Sequence, residues 1–180
     1  MPAQWWSVDA SGGLRLHLEA EEAQTVLAAV MDFRTVLIEA TDDSITERLF
    51  PRAYLDPTEE AAETTWRALT GPDLLRERFD RIAVVATGLS TLANSPRSQD
   101  WLSIEEEHET FWLTVLNDMR LALGSAIGIS DDGAEIDPGD PGLDEHAASA
   151  HYMYQALTYF HGDLIELMLS RIGDAPLGDS

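Results

Sequence analysis

The chain has 180 residues, 44% of them apolar, and carries 33 acids against 11 bases, a net charge of −22. Every base is arginine, so Schiff-base chemistry and a catalytic lysine are excluded, and the absence of cysteine excludes disulfides, thiolate nucleophiles and cysteine-ligated metals. A surface this negative disfavours nucleic acid and anionic membranes and favours basic partners, although halophilic adaptation gives the same composition.

This length suits one domain with a real core, spanning 1–180. Met1–Ala10 lacks the charged-then-apolar pattern of a secretion signal, and no apolar run approaches the roughly 20 residues of a membrane span. A cytoplasmic location is expected. Residues 4–18 read as a β-hairpin, because Leu14, Leu16 and Leu18 alternate with Arg15 and His17. Two strands alone are marginal in water, so the hairpin must pack on helices.

Helical spacing of Val26, Leu27, Val30, Phe33, Leu37 and Ile38 predicts a helix over 19–41, with Glu19, Glu21 and Glu22 favouring its N-terminal dipole. Thr41–Ser44 breaks it, and a short helical turn follows until Pro51. Asp56-Pro-Thr-Glu59 is a helix start with an acceptor at the cap and proline at the first position. That helix is expected over 57–69, and Thr70-Gly-Pro72 separates it from the next, 73–93. Residues 94–100 read as a loop.

Ser103-Ile-Glu-Glu106 has the form of a capping box and opens the helix that the other elements are expected to surround, over 103–128. Trp112, Val115, Leu116, Met119, Leu123, Ala126 and Ile127 cover more than half its circumference, yet Asn117, Asp118 and Arg120 lie among them. Such groups are costly to bury without partners. Gly124 and Gly128 suggest a close helix contact or a fraying end. Residues 130–142 form an acidic loop rich in Gly, Pro and Asp, and a last helix spans 144–172 around Met153, Leu157, Phe160, Leu164 and Met168. The fold class is mainly α: about five helices around a central buried helix, 103–129, with a short N-terminal β-hairpin.

No constellation commits the chain to catalysis. Glu105, His108 and Glu109 contain Glu-x-x-His, the half-motif of a dimetal carboxylate site, but a second copy is missing and acids belong in a first helical turn anyway. His146, His151 and His161 do not share one helical face. Asp131, Asp132, Glu135, Asp137 and Asp140 do not follow the EF-hand order. No Gly-x-Ser-x-Gly elbow and no phosphate-cradling glycine loop is present. We therefore expect no catalytic residue, no metal and no cofactor. Residues 44–82 hold six of the arginines, Arg48, Arg52, Arg67, Arg76, Arg78 and Arg81, and a net charge of only −2, against −6 before them and −14 after. These arginines are expected to pair with Glu47, Glu77 and Asp80, or with Asp118 across the core, rather than to bind an anion.

Several longer motifs go beyond generic patterning. Arg48-Leu-Phe-Pro-Arg-Ala-Tyr54, Trp66-Arg67-x-Leu-Thr70, Trp112-Leu-x-x-Leu-Asn-Asp-x-Arg-Leu-x-Leu-Gly124, Ile127-Gly-Ile129 and Tyr154-x-x-Leu-Thr158 occur in this order. The chain resembles the actinobacterial AosR-like family, long known as a domain of unknown function. The resemblance implies a cytoplasmic regulator of transcription under oxidative stress that contacts a sigma factor or RNA polymerase rather than DNA. Without cysteine, a thiol-based sensor cannot operate here, and His161 stands where the resemblance leads one to expect glutamine. The leading expectation is a non-enzymatic protein that binds a partner with a basic surface. In it Arg48, Tyr54, Arg67, Asn117, Asp118 and Arg120 form a polar binding node. The alternatives are an accessory to regulated proteolysis and, behind it, a carboxylate-metal enzyme built on Glu105, His108, Asp118 and His161.

Overall fold

A computed structural model of the chain describes residues 5–39, 43–95, 100–129 and 145–173. The predicted acidic loop, with Asp131, Asp132, Glu135, Asp137 and Asp140, lies outside these residues, as do Thr41 and Asp42 of the expected break, whose other two residues, Asp43 and Ser44, already belong to α2. The elements are β1 (Trp6–Val8), β2 (Leu14–His17), α1 (Ala20–Glu39), α2 (Asp43–Leu49), α3 (Glu60–Ala93), β3 (Trp101–Ile104), α4 (Glu109–Ala126) and α5 (Glu145–Gly173). A mainly α fold with a short N-terminal sheet is what the pattern predicts.

The sheet has one more strand than expected. The three strands run in the order β1-β2-β3, all antiparallel, with Trp6 opposite Leu16, and Leu14 and Leu16 opposite Ile104 and Leu102. Residues 103 and 104 were expected to open the central helix, and 101 and 102 were assigned to no element. They are drawn into the ladder because Leu102 and Ile104 alternate inward beside Leu14 and Leu16, giving the marginal hairpin a third strand. Ser103 therefore caps nothing: a single 3₁₀ turn, Glu106–His108, intervenes before α4 begins at Glu109.

The inner face of the sheet packs on α4 and α5. The Trp6 ring meets Trp112 edge-on at 5.8 Å and Phe160 at 5.1 Å, and its indole N–H donates to the Phe160 carbonyl at 3.0 Å. α4 is central: Trp112, Val115, Leu116, Met119 and Ala122 are all buried, and it touches α1, α2, α3 and α5. Full burial of a side chain such as Leu116 or Leu164 contributes about 1.5–3 kcal/mol. Its two glycines divide the roles foreseen for them. A Cβ on Gly124 would stand 3.1 Å from the Tyr154 ring of α5, so glycine permits close approach there. Gly128 takes φ +73°, and the bonds Ile129 N–H to Gly124 O and Gly128 N–H to Ser125 O close the helix as a Schellman motif.

The second departure is α3. Residues 57–69 and 73–93 were expected as two helices, but one helix runs from Glu60 to Ala93 with Pro72 inside it, preceded by a 3₁₀ turn, Pro57–Glu59, capped by Asp56. Pro72 has no N–H for the Ala68 carbonyl, a defect of about 3 kcal/mol in an isolated helix. Packing along α1 and α4 holds the two halves in line nevertheless. In α1 the buried residues are Ala23, Val30, Phe33 and Leu37, while Ile38, expected in the stripe, is 55% exposed.

Restoring the missing donor should strengthen α3. Pro72→Ala is expected to raise stability by about 1–2 kcal/mol, the helical gain exceeding the loss of proline's restraint on the unfolded chain. Urea denaturation measures this, and an unchanged or lower midpoint would contradict a continuous helix.

Candidate functional site: a polar clamp after α2

The six residues expected to form one node are distributed over neighbouring sites. The first is built around the segment that leaves α2. Leu49 is the last residue of α2, and its carbonyl accepts the Arg78 Nη2 donor from α3 at 2.7 Å. Arg78 also donates from Nε to Asp118 Oδ2 of α4 at 3.0 Å, and its guanidinium lies 4.3 Å over the Phe50 ring. One planar cation thus meets a helix C-terminus, a carboxylate and an aromatic face, each a favourable partner. Asp118 therefore takes Arg78 as its cation. Arg48, expected in one node with Asp118, lies exposed in the last turn of α2.

One turn of chain further on, a second carboxylate does the holding. Glu63 is 2% exposed, and its Oε2 accepts the backbone N–H groups of Ala53 and Tyr54, each at 3.0 Å. Its other oxygen accepts Arg67 Nε, one helical turn along α3, and Arg67 Nη2 reaches the Phe50 carbonyl at 3.4 Å. Arg52 spans Glu60 at 2.6 Å and the Tyr54 carbonyl at 3.1 Å. The contribution of Tyr54 to this clamp is its backbone. Glu63 was not singled out from sequence, although Glu63-x-x-x-Arg67 is visible as a helical i,i+4 pair.

Asn117 and Arg120 pair elsewhere on α4. Arg120 Nη2 donates to Asn117 Oδ1 at 3.2 Å, while Arg120 Nε is buried without a hydrogen bond. His161 of α5 is buried nearby; burial holds its imidazolium below the usual histidine range, and the Arg120 charge adds to this. His151 is buried as well. Glu105, Glu107 and His108 bring ligand atoms within 4.8 Å of one another, with both acids exposed. Asp118 and His161, the other members of the imagined metal site, belong to the contacts just described.

The two clamp carboxylates respond oppositely to their surroundings. The hydrogen bond from Arg67, helped by the Tyr54 N–H, holds the Glu63 carboxyl below its ordinary 4.5. Burial pushes Asp118 above 3.8, against the pull of Arg78. A cavity of about 240 Å³ adjoins the clamp, lined chiefly by Val36, Leu37, Ile45, Phe50, Trp66 and Leu75, with Arg67 at its lip.

With this geometry in view, one family model matches the chain: the domain of unknown function DUF2017, over residues 6–168, and the chain belongs to that family. No curated protein and no solved structure matches it. No helix of the described residues is long and apolar enough to cross a membrane.

Two substitutions test the clamp. Asp118→Asn keeps an oxygen acceptor for the Arg78 Nε donor while removing the carboxyl that titrates, and Glu63→Gln does the same at the second carboxylate. The pH signatures of the two carboxyls are opposite. The raised Asp118 pKa stabilises the fold below 3.8, and that contribution is lost as pH rises through its folded value. The lowered Glu63 pKa stabilises it above 4.5, and that contribution is lost as pH falls through its folded value. In urea titrations between about pH 3 and pH 7, the advantage of wild type over Glu63→Gln should therefore grow with pH, and that over Asp118→Asn should shrink. Parallel trends would refute the assignment.

Proposed function

We propose that this DUF2017 protein is a non-enzymatic regulator that works by protein–protein contact, and that its partner belongs to the transcription machinery, a sigma factor or RNA polymerase. The observation that carries this reading is electrostatic. The chain has a net charge of −22, and the arginines of its basic stretch are engaged within the molecule: Arg52 with Glu60, Arg67 with Glu63, Arg76 with Asp73, Arg78 with Asp118 and Arg81 with Glu77. Exposed pairs of this kind add only about 0–1 kcal/mol each to stability, but they remove the cations a phosphate backbone would need. What remains for a partner is an anionic surface, suited to fast, salt-sensitive association with a basic protein.

The resemblance to the AosR-like family supports the same reading and names the process, transcription under oxidative stress. Three of the motifs that carry it, Arg48–Tyr54, Trp66–Thr70 and Trp112–Gly124, are the segments that meet at the clamp. Of the six residues expected in the node, Arg67 and Asp118 act first with Glu63 and Arg78, by fixing α2 and the following segment against α3 and α4. A surface so fixed is preorganised for a partner, which lowers the entropic cost of binding.

Immobilised protein should retain purified RNA polymerase holoenzyme or a free sigma factor at low salt, with affinity falling on the order of tenfold as salt screens the contact. Retention of an adaptor or chaperone ring instead would move the protein to regulated proteolysis. Tight, sequence-selective binding of duplex DNA by the protein alone would overturn the reading.

A further inference from the structure

The sheet ends on β3. No described strand lies beyond it, since the order is β1-β2-β3. The direction of its unpaired groups follows from the ladder. Leu18 N–H donates to the Asp100 carbonyl at 3.0 Å, and paired residues in an antiparallel ladder alternate between bonded and non-bonded. Leu16 and Leu102, and Leu14 and Ile104, are then the bonded pairs. The N–H and C=O of Ser103 point away from β2, and Ser103 is exposed. β1, at the other edge, is packed on α5 through Trp6.

Alongside this edge runs a groove of about 360 Å³, between β3 and α3. Its floor holds Leu102 and Trp112, and its α3 wall is small: Ala83, Val84, Thr87 and Gly88. Gly88 is required there, because a Cβ would come within 2.8 Å of Leu102 Cδ2 and 2.9 Å of the Trp112 ring. Past the end of the strand stand Glu105, Glu106 and Glu107, all exposed. The His108 nitrogens lie 3.7 Å and 3.8 Å from the carboxylates of Glu105 and Glu107.

We infer that β3 accepts an extended segment of the partner as a fourth strand. That segment carries alternating aliphatic and basic side chains. Its backbone pairs with Ser103, its aliphatic side chains lie in the groove against Leu102 and the small α3 residues, and its cations meet Glu105–Glu107. Strand addition draws affinity from main-chain bonds and specificity from pockets for alternate side chains. Free edges are normally blunted by lysine, proline or a bulge, and among the described residues Leu102-Ser-Ile104 has none of these beside the outward Ser103 backbone. A second copy of the chain is disfavoured as occupant, because each carries −22 and would bring its own glutamates to the contact. This inference rests on the protein-contact reading above and specifies its mode.

The probe is a synthetic hexapeptide alternating arginine and valine, with a counterpart in which proline replaces valine at equal charge. The first peptide should bind at least about tenfold more tightly than the second, and binding should slow hydrogen exchange of the Ser103 amide. Ser103→Pro removes that outward donor without touching the ladder to β2 and should weaken the first peptide by about tenfold, with an unchanged circular dichroism spectrum. Equal binding of the two peptides, protection confined to other amides, or wild-type affinity in a folded Ser103→Pro variant would overturn the inference. Should that variant unfold, exchange in the wild-type protein decides. Undiminished capture of polymerase or sigma factor by Ser103→Pro would sink the edge and leave the regulatory reading standing. Capture by neither protein would sink that reading, with the peptide titration still judging the edge.

Discussion

A single guanidinium holds three helices in register. Arg78 projects from α3, meets the buried carboxylate of Asp118 on α4, and closes the C-terminus of α2 through the Leu49 carbonyl. Each group needs the others. Asp118 is expensive to desolvate alone, Arg78 would be stranded without it, and the last carbonyls of a seven-residue helix have few intrahelical donors. The apolar contacts of α4 set where the helices lie, and this polar contact sets how they are turned about one another.

Much of the fold could be read from residue spacing because most elements are amphipathic on one consistent period. Leu157, Phe160 and Leu164 mark the buried face of α5, and Val30, Phe33 and Leu37 that of α1, as their spacing requires. The failures have local causes. Pro72 is a strong stop signal, and packing on two neighbouring helices overrode it. Four residues at 101–104 are too short for periodicity to separate a strand from a helix start, and only the presence of β2 decides between them. The individual side chains of the clamp were less legible than the helices bearing them. That Asp118 would seek an arginine of the basic stretch follows from charge. Which arginine it finds depends on how α3 crosses α4. The i,i+4 spacing to Arg67 marks Glu63 only as one half of a helical ion pair, and its burial comes from the chain after α2, which folds over it and brings two backbone donors.

The distribution of charge gives the molecule two distinct characters. The basic stretch from residue 44 to 82 is spent on internal order, whereas Glu105, Glu106 and Glu107, between β3 and α4, face outward. In the proposed mode of contact, a partner is recognised through this anionic surface and the free edge of the sheet. Membership of DUF2017 sets the family, and the physical arrangement says where in that family's fold to look for contact.

The bond from the Trp6 indole to the Phe160 carbonyl joins residues 154 positions apart, and β2 likewise pairs with a strand found only after α3. Trp5 and Trp6 must therefore wait for α5 before they are sheltered. Long-range pairings of this kind form late and leave apolar surface and unpaired strand edges open during synthesis. A nascent chain halted before α5 is complete would display Trp5 and Trp6 to its surroundings, which makes such intermediates natural clients for chaperones.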